Sequence, residues 1–118
     1  LQSKILTDGS VESKWLTLDT AKLIEAAGPW GQEFSEPLFD GQFCLVEHRR
    51  VGKNHLKMVL SSKEDPEHIV DAIAFSVDDK DWPKDKSEEI EIAYRLEANH
   101  FQGNVTLQLV VEHIINIS

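Results

Sequence analysis

The chain has 118 residues, of which 41% are hydrophobic, and a formal net charge of −9. This length fits a single domain with a modest core. One cysteine and no cluster of Cys and His residues exclude a disulfide framework and a structural zinc site. The acidity argues against a free-standing nucleic-acid binder with a broad basic face.

No apolar run approaches the roughly 20 residues that cross a bilayer. The first ten residues lack the charged-then-apolar pattern of a signal peptide. Cys44 lies in an apolar run, where a buried, reduced thiol is expected. We therefore expect a cytoplasmic protein with no membrane partner. Because the chain begins without Met, we also expect it to be part of something longer.

A short helix is the first predicted element. Thr17 or Asp19 is a suitable N-cap, the apolar residues from 20 to 27 form a stripe, and Gly28 followed by Pro29 ends the helix. Residues 28–41 contain three Gly and two Pro, which excludes a regular helix or a central strand. Large apolar side chains in this segment favour an ordered connector packed onto the domain over a flexible linker: Trp30, Phe34, Leu38 and Phe39.

Five strands are predicted after the connector, at 43–51, 55–60, 69–77 and two within 90–114. The last two carry large apolar residues at every second position, which is typical of half-buried strands. The third strand mixes Ala72 and Ala74 with Ile73 and Phe75, which predicts burial on both faces. Residues 78–87 form an acidic segment with at most one helical turn, and its Trp82 is expected to pack rather than bind.

Five short strands in about 75 residues are typical of a small barrel. The longer connection between the third and fourth strands favours an all-β, five-stranded OB-fold barrel, with an SH3-like barrel as the alternative. We expect a connector with a short helix (residues 17–27) in 1–41 and the OB-fold domain in 42–118.

No pattern of catalytic residues is found. The chain lacks a Gly-x-Ser-x-Gly elbow, a phosphate-binding Gly loop and the spacing of an EF-hand. Glu-His pairs occur at 47–48 and 112–113, but neighbours on a strand point to opposite faces. We therefore predict neither a catalytic residue nor a metal ligand.

A basic run starts at the end of the first predicted strand and continues into the second, with no acid between its residues. Residues 78–91, by contrast, hold seven acids against three lysines. Such a polarised distribution predicts a basic patch along which a nucleic-acid backbone can bind. A solvated polar face is the alternative. The candidate residues are Arg49, Arg50, Lys53, His55 and Lys57.

The turn between the fourth and fifth strands is the second candidate, because the corresponding turn of OB-folds flanks the oligonucleotide face. Its candidates are His100, Phe101 and Asn104, and an exposed Phe101 can stack on a base. The alternative is that Phe101 folds back and closes the barrel end. Arg95 is a further candidate for phosphate contact, and Tyr94 or His55 for stacking.

Five segments, in order, resemble the C-terminal part of the RecJ family of bacterial single-stranded-DNA-specific 5′→3′ exonucleases. They are GPWGQEFSEPLFDG at 28–41, VGKNHLK at 51–57, DAIAF at 71–75, AYRL at 93–96 and LQLVVEHI at 107–114. The family carries DHH and DHHA1 catalytic domains that bind manganese or magnesium, and an OB-fold that holds single-stranded DNA. Residues 5–9 are similar to the segment that leaves DHHA1, but the Asp-His-His motif has no counterpart.

The resemblance therefore implies a non-catalytic module without a cofactor of its own. It would bind single-stranded DNA and guide it to a separate DHH/DHHA1 core in recombination and repair. The alternative is a protein-interaction domain that docks the nuclease core or the single-strand-binding protein. An enzyme in its own right is the least favoured hypothesis.

Overall fold

The structure is a computed structural model that describes residues 5–118. Residues 1–4, part of the expected connector, lie outside the described residues. The regular elements are α1 (Leu18–Ala27), β1 (Phe39–Val51), β2 (His55–Ser62), β3 (Ile69–Ala74), β4 (Glu89–Phe101) and β5 (Asn104–Ile117). Single 3₁₀ turns occur at Ser13–Trp15 and Asp79–Asp81. The second of these is the one turn expected of the acidic segment.

The five strands close into a barrel in the order β1-β2-β3-β5-β4. The pairing of β3 with β5 is parallel, and the other four pairings are antiparallel. β1 belongs to two pairings, because its first half lies beside β4 and its second half beside β2. The closed five-stranded barrel with one short helix confirms the predicted fold class.

Alternating apolar residues fill the barrel interior. Leu56, Met58 and Leu60 point inward from β2 and are at most 1% exposed. Tyr94 is buried among them and packs its ring edge-on against Phe43, with ring centres 5.7 Å apart. Full burial of one such side chain stabilises the fold by about 1.5–3 kcal/mol, so these strands hold the barrel together.

A bulge in β1 decides which side chains face outward. The register with β2 runs from Leu45 opposite Leu60 to Glu47 opposite Val59 and skips Val46. A shift of one residue moves every later side chain to the other face of a strand. Beyond the bulge, Arg49 therefore lies outside the barrel, and Arg50 lies on the inner side at the barrel end.

β1 begins at Phe39, four residues before the predicted start at 43. Residues 39–44 pair with β4, so the expected division between residues 41 and 42 falls inside this strand. Gly41 weakens the sequence pattern expected of a strand. In the structure, its lack of a side chain lets the Phe43 and Tyr94 rings pack close to the backbone of β1. A Cβ at this position would lie 3.3 Å from the Phe43 ring and 3.8 Å from the Tyr94 ring.

β3 differs from its prediction in length and in burial. It ends at Ala74 rather than residue 77, because Ser76 has a positive φ of 53° that an extended strand does not allow. Ala72 and Ala74 are buried, but Ile69 is 50% and Phe75 58% exposed. The expected burial on both faces is therefore wrong, and one face of β3 is open.

The helix and the connector lie against the barrel more loosely than expected. Thr17 Oγ1 accepts a hydrogen bond from the Thr20 N–H at 3.2 Å, which confirms Thr17 as the N-cap of α1. Trp30 Nε1 donates to the Ile24 carbonyl at 3.0 Å, which ties the connector to the helix. Phe34 is 70% exposed, so its predicted packing is wrong, and Leu23 on the helix is exposed to the same degree.

Neither the helix nor the 3₁₀ turns within residues 5–118 have the length and apolar content needed to span a membrane.

Candidate nucleic-acid interface

The outward side chains of β2 and β3, with those of the adjoining end of β1, form one surface that we call the β2–β3 face. Arg49 on β1 lies directly opposite Lys57 on β2, and Lys57 lies opposite Ile73 on β3. Lys53 is exposed in the turn at the same end. The structure therefore brings three of the predicted cations together, beside the apolar outer residue Ile73 of β3.

The positive charge is confined to the turn end of this face. Further along it, Val59 lies between Glu47 on β1 and Asp71 on β3, both of which are exposed. These carboxylates repel phosphates. A nucleic-acid backbone therefore finds its favourable contacts at Arg49, Lys53 and Lys57.

Arg50, although part of the basic run, makes three contacts within the protein. Its Nη1 donates to the Lys53 carbonyl oxygen at 2.8 Å, and its Nη2 donates to Asp79 Oδ1 at 3.1 Å. The guanidinium also lies 3.9 Å from the centre of the Trp82 ring. Arg50 thus joins the β1–β2 turn to the acidic segment.

His55 lies on the β2–β3 face with its ring in local contacts. Nδ1 accepts a hydrogen bond from the Ser76 N–H at 3.0 Å. The ring meets Phe75 edge-on, with ring centres 5.3 Å apart and planes inclined at 73°.

Arg95 lies away from this face, between the connector and β5. Nη1 donates to Glu36 Oε2 at 2.9 Å, and Nε donates to Glu112 Oε1 at 2.5 Å. Burial acts to lower the pKa of Arg95, but the bonds to Glu112 and Glu36 outweigh it and raise this pKa overall. The guanidinium is therefore engaged in linking the connector to the barrel.

The β4–β5 turn lies at the opposite end of the β2–β3 face from Lys53. This follows from the register, in which β5 runs parallel to β3 with Asp71 opposite Gln108. The turn thus flanks the face, as the sequence predicts. Phe101 is 66% exposed, so the alternative of a folded-back plug is wrong. His100 and Asn104 are exposed beside it.

Tyr94 cannot stack on a base because it is 1% exposed, so this sequence expectation is wrong. Burial raises the pKa of its hydroxyl, and the negative charge of Asp40 raises it further.

Phe75 is the residue of this face that sequence reasoning missed. It is 58% exposed and follows the end of β3, opposite the start of β2. Asp71, two positions from Ile73 and four from Phe75, was the available signal. A charged residue marks the outer face of a strand, and the period of two assigns Phe75 to the same side.

Across residues 5–118, no group of three or more His, Cys, Asp or Glu side chains is arranged to hold a metal ion. Cys44 is a free thiol and is half-buried rather than buried.

Comparison with protein families identifies the chain. The model of the family described as RecJ OB domain matches residues 7–113. The chain belongs to the RecJ OB domain family. This agrees with the closed barrel and confirms the resemblance seen in the sequence.

Curated relatives are named single-stranded-DNA-specific exonuclease RecJ. That of Haemophilus influenzae is 45% identical over 116 residues, and that of Dickeya dadantii 43% identical over 114 residues. The Escherichia coli relative is 41% identical over 114 residues. Each comparison covers 97% of this chain and 20% of the relative. The chain therefore spans about a fifth of the length of these relatives.

A solved structure with the same fold is RecJ in complex with Mn²⁺ from Thermus thermophilus. The superposition has a TM-score of 0.70 at 21% sequence identity. It covers 95% of this chain and 16% of that chain. At this identity the likeness concerns the fold alone.

Proposed function

We propose that this chain is a non-catalytic module that binds single-stranded DNA for a RecJ-type exonuclease. It would guide the strand to a DHH/DHHA1 core outside the chain, in recombination and repair. The manganese or magnesium of that reaction would be bound by those catalytic domains. The observation that carries the proposal is the pairing of Arg49 with Lys57 on the outer face of the barrel, next to Lys53.

Phosphate contacts by these three cations would dominate the affinity. Single strands release about 0.7 counterion per contacted phosphate, so three contacts give a slope of roughly −2 for log K against log salt. With a net charge of −9, the chain also repels DNA at long range. We therefore expect weak binding that is measurable only at low ionic strength.

The roles of the other candidates follow from their positions. Phe101, with His100 and Asn104, would contact bases at the far end of the β2–β3 face. Arg50 and Arg95 are held by carboxylates, so they would reach a phosphate only by exchanging these partners. We rank them behind Arg49, Lys53 and Lys57.

Fluorescence anisotropy with a labelled oligo-dT at low salt tests the proposal. The double substitution Arg49→Glu and Lys57→Glu should abolish measurable binding. A matched control, Lys22→Glu with Lys86→Glu, changes the net charge equally but lies on α1 and in the acidic segment. If both double variants weaken binding to the same degree, only the net charge matters and the proposed face is wrong.

A protein-interaction module is the second candidate. It is favoured by the exposed acids of the segment after β3, among which the Asp79 side chain is 91% exposed. Such a surface can dock a basic face of the nuclease core or of single-strand-binding protein. Pull-down assays with each partner, in the presence and absence of oligo-dT, separate this candidate from DNA binding.

A further inference from the structure

Phe75 and His55 form a pair of rings at the turn end of the β2–β3 face. Phe75 leaves more than half of its surface open, at 58% exposure, although it is large and apolar. Its one aromatic neighbour is the His55 ring, which meets it edge-on at 5.3 Å. Phe75 shares this face with Lys57, which lies opposite Ile73, and with Arg49, which lies opposite Lys57. An exposed aromatic ring on the same face as two cations can stack on a base while the cations bind nearby phosphates.

We propose that Phe75 is a stacking platform for a nucleobase of single-stranded nucleic acid and that His55, with a neutral ring, is the residue that positions it. This inference rests on the function proposed above and assigns His55 a different role. His55 would not contact the phosphate as a cation. It would instead fix the backbone and the ring that contact the base.

The hydrogen bond from Ser76 determines the state of the His55 ring. The Ser76 N–H donates to Nδ1 at 3.0 Å, so Nδ1 carries a lone pair and the proton resides on Nε2. Ser76 has a φ of 53°, which non-glycine residues rarely adopt. This bond holds that conformation and turns the chain directly after Phe75. A proton on Nδ1 would place two donors against each other and release the turn.

Neighbouring contacts leave the ring little freedom. A Cβ at Gly52 would lie 3.3 Å from His55 Cδ2, so the glycine makes room for the ring on one side. In addition, the Val77 N–H donates to the Asn54 carbonyl at 2.8 Å, which holds the segment after Phe75 to the turn before His55. The charged residues nearest to His55 in sequence are Lys53 in the turn and Lys57 on β2.

A double-mutant cycle on binding to oligo-dT tests the assignment. Phe75→Ala should weaken binding roughly 5- to 140-fold, because stacking on one aromatic ring contributes about 1–3 kcal/mol and 1.4 kcal/mol is a factor of ten. His55→Ala should weaken binding less, and the double variant no more than Phe75→Ala alone. If the affinity loss of the double variant equals the product of the two single losses, the two residues act independently. That result would show that His55 contacts DNA directly and would overturn its positioning role.

The conservative variant His55→Asn tests whether acceptance of this hydrogen bond is what matters. The Asn carbonyl can accept from the Ser76 N–H, so this variant should recover most of the affinity that His55→Ala loses. If His55→Asn binds as weakly as His55→Ala, the imidazole itself is needed for binding and the positioning role is wrong.

The failure of this inference is distinguishable from the failure of the proposed function. Phe75→Leu keeps an apolar side chain without a π-face and guards against misfolding of Phe75→Ala. If Arg49→Glu with Lys57→Glu abolishes binding while both Phe75 variants bind like the wild type, only the stacking site is wrong. If the wild type itself does not bind oligo-dT at low salt, both proposals are wrong.

Discussion

The guanidinium of Arg50 lies over the ring of Trp82, with its central carbon 3.9 Å from the ring centre. This contact joins the end of β1 to the segment between β3 and β4 at the open end of the barrel. Trp82 packs in turn against the hydrophobic core. A basic residue that the sequence suggests for DNA contact therefore supports the barrel end.

Arg50→Lys should destabilise the protein by about 0.5–1 kcal/mol. The lysine keeps the charge but loses the planar stacking on Trp82 and the forked hydrogen bonds. Asp79→Asn is the matched control, and it should change stability little because that carboxylate is 91% exposed. Urea unfolding of both variants measures the difference. A larger loss for Asp79→Asn than for Arg50→Lys would show that the ion pair, not the stacking, supports the barrel end.

Arg95→Met should destabilise the fold by about 1–3 kcal/mol. The Arg95 side chain is 31% exposed, and its removal leaves the Glu36 and Glu112 carboxylates without their common partner. The connector should also become more sensitive to proteolysis between residues 28 and 38, since Glu36 anchors it. Urea unfolding and limited proteolysis measure the two effects.

Lys63→Met is the control for Arg95→Met, because it also removes a cation from an ion pair. Lys63 bonds Glu89 at 2.8 Å, but both side chains are at least 40% exposed. Its loss should change stability little and leave the connector as resistant as in the wild type. Equal effects of the two substitutions would contradict the anchoring role of Arg95.

Stability should decline at alkaline pH because of Tyr94. The pKa of its hydroxyl is raised in the folded state, so the unfolded state, with an ordinary pKa of about 10, releases this proton first. The stabilising contribution is complete below about pH 10 and is lost as pH rises above it, by up to 1.4 kcal/mol per pH unit. Tyr94→Phe keeps the ring packing and should lack this part of the decline.

Two measurements check this alkaline transition. The free energies of unfolding of the wild type and Tyr94→Phe are compared at rising pH, so that the titration of lysines cancels. The chain has one tyrosine, so its tyrosinate absorbance reports Tyr94 alone. Ionisation near pH 10 in the folded protein would contradict the burial effect.

The sequence predicts most of the barrel, because the inner and outer residues of its strands differ in polarity. In β2, the buried Leu56, Met58 and Leu60 alternate with His55 and Lys57, and the period of two is plain. The prediction that β3 is buried on both faces is wrong because its outer face carries apolar residues, namely Ile69, Ile73 and Phe75. A strand with apolar residues on both faces has the same sequence pattern as a strand buried on both faces. In β3, however, the outer apolar residues belong to the candidate binding surface.

The site was predicted less completely, because it depends on a bulge. Without the skipped Val46, strict alternation from Phe43 and Leu45 would direct Arg49 inward and Arg50 outward. With it, Arg49 meets Lys57 and Arg50 turns towards Trp82. Nothing in the alternation of residues 43–51 indicates this shift. The sequence also gives no indication of the partners of Arg95, since Glu36 is 59 residues away along the chain.

The divided pairing of β1 also has a consequence for how the chain is made. Tyr94 is 55 residues later in the sequence than its partner Phe39. At about 5–20 residues per second, ribosomal synthesis leaves residues 39–44 without β4 for roughly 3–11 s. An unpaired edge of this kind invites association with another nascent chain. Asp40 and Gly41 within it, and Pro37 just before it, are poor at such pairing. Ribosome-bound chains that stop short of residue 89 provide the test. If Asp40 protects the unpaired edge, more of the Asp40→Val chains than of the wild-type chains should co-sediment as associated chains.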